Sequence, residues 1–130
     1  MKMKRLVAGL AILLMTAGVP VYAATVQPYQ AGAFATAQKN GDPILVFVEA
    51  SWCPICAKER PILLHLYGTP EFKALQVFDV DFDTSKPLLR KLDVQMQSTL
   101  IVYRGVKETG RLTGATDPTI IKRLLETASS

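Results

Sequence analysis

Apolar and polar positions follow three rhythms along this chain, and each predicts a different kind of element. "PILVFVEA" (43–50) is a short apolar run with β-branched residues, too short for a helix, and predicts a buried strand. "LQVFDVDF" (75–82) alternates apolar with polar and predicts a second strand. "TLIVYRG" (99–105) and "KETGRLTG" (107–114) predict a strand pair joined at Gly105. Between them lie helical patterns. The alanine-rich 29–41 ends in Asn40-Gly41, a glycine stop, and 86–94 is a short helix. Residues 53–67 have helical composition, with Pro54 acceptable in the first turn and Pro61 expected to kink the middle. Asp117 is placed to cap a last helix that begins at Pro118 and buries Ile120, Ile121, Leu124 and Leu125. The order helix, strand, helix, strand, helix, strand, strand, helix predicts an α/β domain. Its sheet is expected to be largely parallel, covered on both faces, with the last hairpin as an antiparallel edge.

The N-terminus follows none of these rhythms. Lys2, Lys4 and Arg5 precede an uncharged run, and Val21 and Ala23 occupy the small-residue positions a signal peptidase requires. Residues 1–23 therefore read as a cleaved export signal and 24–130 as the mature domain. The rival reading is a retained membrane anchor, because the uncharged run from Leu6 to Ala24 is long enough to cross a bilayer. Pro20 and its small neighbours favour cleavage, after which no stable membrane insertion is expected. No cysteine follows the run, which excludes lipid attachment there. Export would place the protein in the periplasm or otherwise outside the cytosol, where disulfides persist.

Charge then changes the picture. The whole chain carries +4, but three cations belong to the signal, leaving twelve Lys and Arg against eleven Asp and Glu. A net charge of +1 without a basic cluster gives no support for nucleic-acid binding.

The candidate chemistry is confined to "EASWCPICAKERP" (49–61), which holds both cysteines and the only tryptophan. Haem attachment needs a histidine directly after Cys56, where Ala57 stands. A structural zinc or iron–sulfur site needs about four ligands, and the chain offers Cys53, Cys56 and one histidine. That histidine, His65, falls nine residues past Cys56, roughly on the opposite side of a helix, and reads as an ordinary helix residue. A bridge over two intervening residues restricts the unfolded chain little, so stability is a poor reason to keep it. Redox exchange between dithiol and disulfide is the expected chemistry, with no separate cofactor. Cys53 stands where a strand ends and a helix begins, so free backbone N–H groups and the helix dipole favour its thiolate as nucleophile. Cys56, one turn further, is placed to resolve a mixed disulfide. Trp52 is expected either to flank an exposed Cys53 sulfur, giving a substrate chain an apolar surface, or to anchor the core. The alternatives are a copper or zinc carrier using the same two thiolates, and an interaction domain with an inert bridge.

With these residues in view the chain resembles the thioredoxin family over about 33–127. "ILVFVEASWCPIC" is similar to its strand and active-site segment, Pro61 falls where members kink the active-site helix, and "VFDVDFD" resembles the central strand. "STLIVYRG" and "GRLTG" resemble the strand pair, with Gly114 before the last helix. The resemblance implies the thioredoxin fold, a central mixed sheet with helices on both faces, and a thiol–disulfide oxidoreductase with Cys53 attacking and Cys56 resolving. Pro54 and Ile55 form a spacer closer to the glutaredoxin pattern. Two departures stand out. The family's buried strand acid is replaced by Phe47, and Glu49, two residues on and on the same strand side, is the candidate proton relay or else an exposed strand-end residue. The family's loop cis-proline is replaced by Ser98, so a trans Gln97–Ser98 bond is expected in the substrate-binding loop of Gln97, Ser98 and Thr99. The expected partners are cysteine-containing envelope proteins and a membrane thiol–disulfide electron carrier.

Overall fold

The structure is a computed structural model that describes residues 17–18 and 23–129. The signal-peptide expectation lies largely outside the described residues. Five strands, β1 (Thr25–Pro28), β2 (Pro43–Glu49), β3 (Gln76–Asp81), β4 (Thr99–Arg104) and β5 (Lys107–Thr113), form one sheet in the order β1-β3-β2-β4-β5. Four helices accompany it: α1 (Ala31–Lys39), α2 (Pro54–Tyr67), α3 (Lys86–Lys91) and α4 (Pro118–Glu126). A 3₁₀ turn, Pro70–Phe72, follows α2.

Every element expected from the sequence is present, and one strand and the 3₁₀ turn have no counterpart in that expectation. β1 pairs parallel with β3 from Thr25↔Gln76 to Pro28↔Asp79. Its four residues are mostly exposed, so no alternating pattern announces it. It is held by backbone bonds, including Thr25 N–H to Leu75 O and Tyr29 N–H to Asp79 O, both 2.9 Å. Pro28 is tolerated because an edge strand leaves some N–H positions without a ladder partner. The sheet is mixed, as expected: β1, β3 and β2 pair parallel, and the last hairpin adds the antiparallel side, β4 against β2 and β5 against β4. A strand's direction depends on which neighbour it finds, and periodicity carries no information about that.

Alternation along β2 divides the core in two. Ile44, Val46 and Val48 face Phe34 of α1, Phe78 and Val80 of β3 and Leu89 of α3. Leu45 and Phe47 face the other layer, with Leu63 and Leu66 of α2 and Ile121 and Leu125 of α4. Edge-on aromatic contacts of 5.5 Å tie Phe34 to both Phe78 and Tyr103. α2 runs through Pro61 without ending. Asp117 caps α4, its Oδ1 accepting the N–H groups of Thr119 at 2.8 Å and Ile120 at 3.2 Å. Ile120 is a correction: it is exposed, and the buried stripe is Ile121, Leu124, Leu125 and Ala128. That stripe keeps the i, i+3, i+4, i+7 spacing of one helix face, and Ile120 lies off it. Among the described residues no helix is long and apolar enough to cross a membrane.

Candidate active site

The site is assembled where β2, α2 and the start of β4 converge. After Glu49 closes β2, the chain turns through Ala50, Ser51 and Trp52, and Cys53 N–H donates to Ala50 O at 3.2 Å. Cys53 is the N-cap of α2, with extended backbone (φ −81°, ψ 112°), and Pro54 opens the first turn. Proline suits that position because its missing N–H would have found no helical partner. Cys53 and Cys56 form a disulfide with Cα atoms 5.3 Å apart. The Cys56 N–H donates to Cys53 Sγ at 3.1 Å, so a backbone donor at the helix start already points at the first sulfur. Such a donor, together with the dipole, lowers a thiol's pKa.

One expectation about exposure changes and one open alternative is resolved. Cys53 is only 2% exposed and Cys56 is fully buried, so the sulfur pair lies below the surface and not on it. Closing the small ring folds Sγ over the first helical turn, where the Cys56 N–H meets it. Trp52 is no core anchor, being 56% exposed, and its indole N–H donates to Asp83 Oδ2 at 2.7 Å. Ile55 and Met96 are exposed too, so the rim carries apolar side chains in water. Pro54 is exposed beside Ile55.

The Val48↔Thr99 register brings the loop before β4 to the cysteine end of β2. Gln97 is half-buried, whereas Ser98 and Thr99 are buried. The Gln97–Ser98 bond is trans, as no described peptide bond is cis. Ser98 has φ +59°, the left-handed region that non-glycine residues rarely enter. Its carbonyl accepts the Gly114 N–H at 2.8 Å and its Oγ donates to Glu59 Oε2 at 2.7 Å. Thr99 Oγ1 donates to Met96 O at 2.7 Å, which closes the loop on itself.

Glu49 is not an exposed strand end. It is half-buried and ion-paired with Arg60 of α2, whose Nε and Nη2 both donate to Oε2. Beneath this pair a cavity of about 80 Å³ is lined by Phe47, Glu49, Arg60, Leu63, Tyr67 and Asp79, among others. Burial, with Glu49 adding and Arg60 opposing, pushes the Asp79 carboxyl up to about 6. The buried Tyr67 hydroxyl has no hydrogen-bond partner, and burial raises its pKa as well.

Glu59 escaped the sequence reading. It is fully buried, and its signal was its place in the spacing Cys56, Glu59, Leu63, Leu66, a carboxylate on an otherwise apolar helix stripe. His65 is exposed, in line with an ordinary helix residue. Among the described residues no group of three or more His, Cys, Asp or Glu is arranged to hold a metal ion.

The family model for thioredoxin matches residues 25–127. A putative thioredoxin-5 from Dictyostelium discoideum is 31% identical over 90 residues, covering 67% of this chain and 86% of the relative. The crystal structure of Trxlp from Edwardsiella tarda superposes with a TM-score of 0.76 at 42% identity, covering 78% of this chain and 98% of that one. Oxidised thioredoxin O2 from Arabidopsis thaliana gives 0.69 at 22% identity over 84% of this chain and 96% of that chain, a likeness of fold. The chain belongs to the thioredoxin family. Its mixed five-stranded sheet is the thioredoxin fold, and its activity is thiol–disulfide exchange.

Proposed function

We propose that this is an exported thiol–disulfide oxidoreductase acting on cysteines of envelope proteins, with Cys53 as nucleophile and Cys56 as resolving thiol. The observation that carries the site assignment is the Cys53–Cys56 disulfide at the N-terminus of α2. In the dithiol form the Cys53 thiolate attacks one sulfur of a partner disulfide, giving a mixed disulfide and releasing the other partner sulfur as thiolate. Cys56 then attacks Cys53 Sγ, closes the ring and frees the second partner sulfur. The partner gains two electrons and the cysteine pair loses two; the reverse sequence oxidises a partner dithiol. Trp52, Pro54 and Ile55 flank the approach, and Gln97, Ser98 and Thr99 line the facing loop. Glu49 supports the site by holding Arg60 at the base of β2.

Export is supported by the cationic start, uncharged run and Val21/Ala23 pattern. Outside the cytosolic reductant pool, a membrane thiol–disulfide carrier would reset the pair. One experiment tests site and location together. Cys56→Ala expressed in its native cell should accumulate in the envelope fraction as Cys53-linked adducts with partner proteins, with an N-terminus at Ala24. Adduct-free protein from oxidised extracts argues against exchange through Cys53. An intact N-terminus on membrane-pelleted protein restores the anchor reading.

A further inference from the structure

Glu59 is the only carboxylic acid among the described residues that is fully buried. It follows Cys56 by one turn on the stripe that α2 turns toward the sheet. Side chains three apart on a helix have Cβ atoms within about 5–6 Å of each other. Its Oε2 accepts the Ser98 hydroxyl at 2.7 Å, whereas Oε1 has no partner. In the disulfide form so few donors favour the neutral acid, and once ionised the carboxylate leaves Oε1 as an unsatisfied acceptor for the nearest proton donor. The titratable groups that act on this region are Glu49 at the end of β2, Asp79 of β3 and Tyr67 further along α2. The neighbouring cation, Arg60, is engaged by Glu49. Burial raises the Glu59 pKa, the Ser98 hydrogen bond opposes the rise, and Glu49 adds to it.

The exchange steps above leave this acid unused, yet it lies on the helix face of the resolving thiol. We propose that Glu59 is the proton-exchange partner of Cys56, positioned by Ser98. In the mixed disulfide, the Cys56 thiol gives its proton to Glu59 Oε1, and the new thiolate attacks Cys53 Sγ. The bond between Cys53 and the partner breaks as the Cys53–Cys56 bond forms. The partner leaves as a thiolate and takes its proton from solvent, while Glu59 remains as a neutral acid beneath the closed ring. In the reverse direction Glu59 returns the proton to Cys56 when the ring opens. Because Glu59 and Cys56 share one proton in the dithiol form, their titrations there are coupled, and the carboxyl must titrate differently in the two redox states.

The proposal rests on Cys56 being the resolving thiol, and the test separates the two. The full mature chain, reduced, is mixed with 5,5′-dithiobis(2-nitrobenzoate) across a pH series. The first chromophore reports attack by Cys53 and the second reports resolution by Cys56. Glu59→Gln, which keeps size and a partner for Ser98, should leave the first phase within about twofold. It should slow the second at least ~10-fold at pH 7 and move its pH midpoint upward, the low side of what a positioned proton acceptor contributes. Glu59→Asp should recover part of both effects. In parallel, carbon-13 NMR of the unaltered protein should show the Glu59 carboxyl titrating at different pH in the oxidised and dithiothreitol-reduced forms. If the unaltered protein shows no second phase, the role of Cys56 fails, and this inference with it. A normal second phase in unaltered protein, with either an unchanged Glu59→Gln profile or a Glu59 titration indifferent to redox state, overturns this proposal alone. Should Glu59→Gln not fold, the carboxyl titration decides.

Discussion

Ser98 shows how one residue can set the conformation of a loop. A proline in its place would have φ fixed near −65°, but this position is held at +59°. The backbone is tied by the Gly114 N–H and the side chain by Glu59. Ser98→Pro therefore meets two obstacles, an incompatible φ and a buried carboxyl deprived of its one donor among the described residues. The expected cost is about 2 kcal/mol or more, read as a lower urea midpoint with an unchanged m value. A variant as stable as its parent would mean that this left-handed turn is not held by its surroundings. Trp52 belongs to the same scale. Its class was readable from sequence, but the choice between rim and core was made by Asp83, thirty-one residues away.

At the scale of elements, local rules and neighbour contacts divide the work differently from one piece to the next. α4 starts where a capping aspartate and an N1 proline say it should. Asp117→Ala removes an acceptor for two otherwise orphaned N–H groups and should cost about 1 kcal/mol in thermal or urea unfolding. No measurable loss would mean that packing of Ile121 and Leu125 alone sets the start of the helix. β1 is the opposite case, a mostly exposed tetrapeptide that becomes a strand because β3 offers a ladder edge. α2 lies between these extremes. Its boundaries follow composition, while the orientation that buries Glu59 depends on the sheet and the β4 loop against which it packs.

For the whole molecule, acids from different elements meet on one side of the sheet. Glu49 comes from β2, Glu59 and Tyr67 from α2, and Asp79 from β3. Asp79 titrates at about 6, above its ordinary 3.8. Well below 3.8 both folded and unfolded chains hold that proton, and the folded state bears no penalty. As pH rises the unfolded chain loses its proton first, so relative stability falls until Asp79 itself ionises near 6, then levels off. Asp79→Asn should thus raise Tm relative to the parent by an amount that grows between pH 4 and about 6 and stays constant above. Melting curves of both proteins from pH 4 to 8 check this. A pH-independent difference, or one of opposite sign, would show that Arg60 compensates the buried charge fully.

Local pattern accounts for the strands other than β1, for the four helices, for most of the apolar faces and for the cysteine pair at a strand-to-helix junction, because hydrophobic period, proline position and capping act over a few neighbouring residues. Tertiary structure alone decided the pairing of β4 with β2, the recruitment of β1, the burial of Cys53, the Glu49–Arg60 pair and the contact between Glu59 and Ser98. Each of these depends on which distant segments come to share a surface. Desolvation and hydrogen-bond pairing are set there, between residues that no local spacing relates.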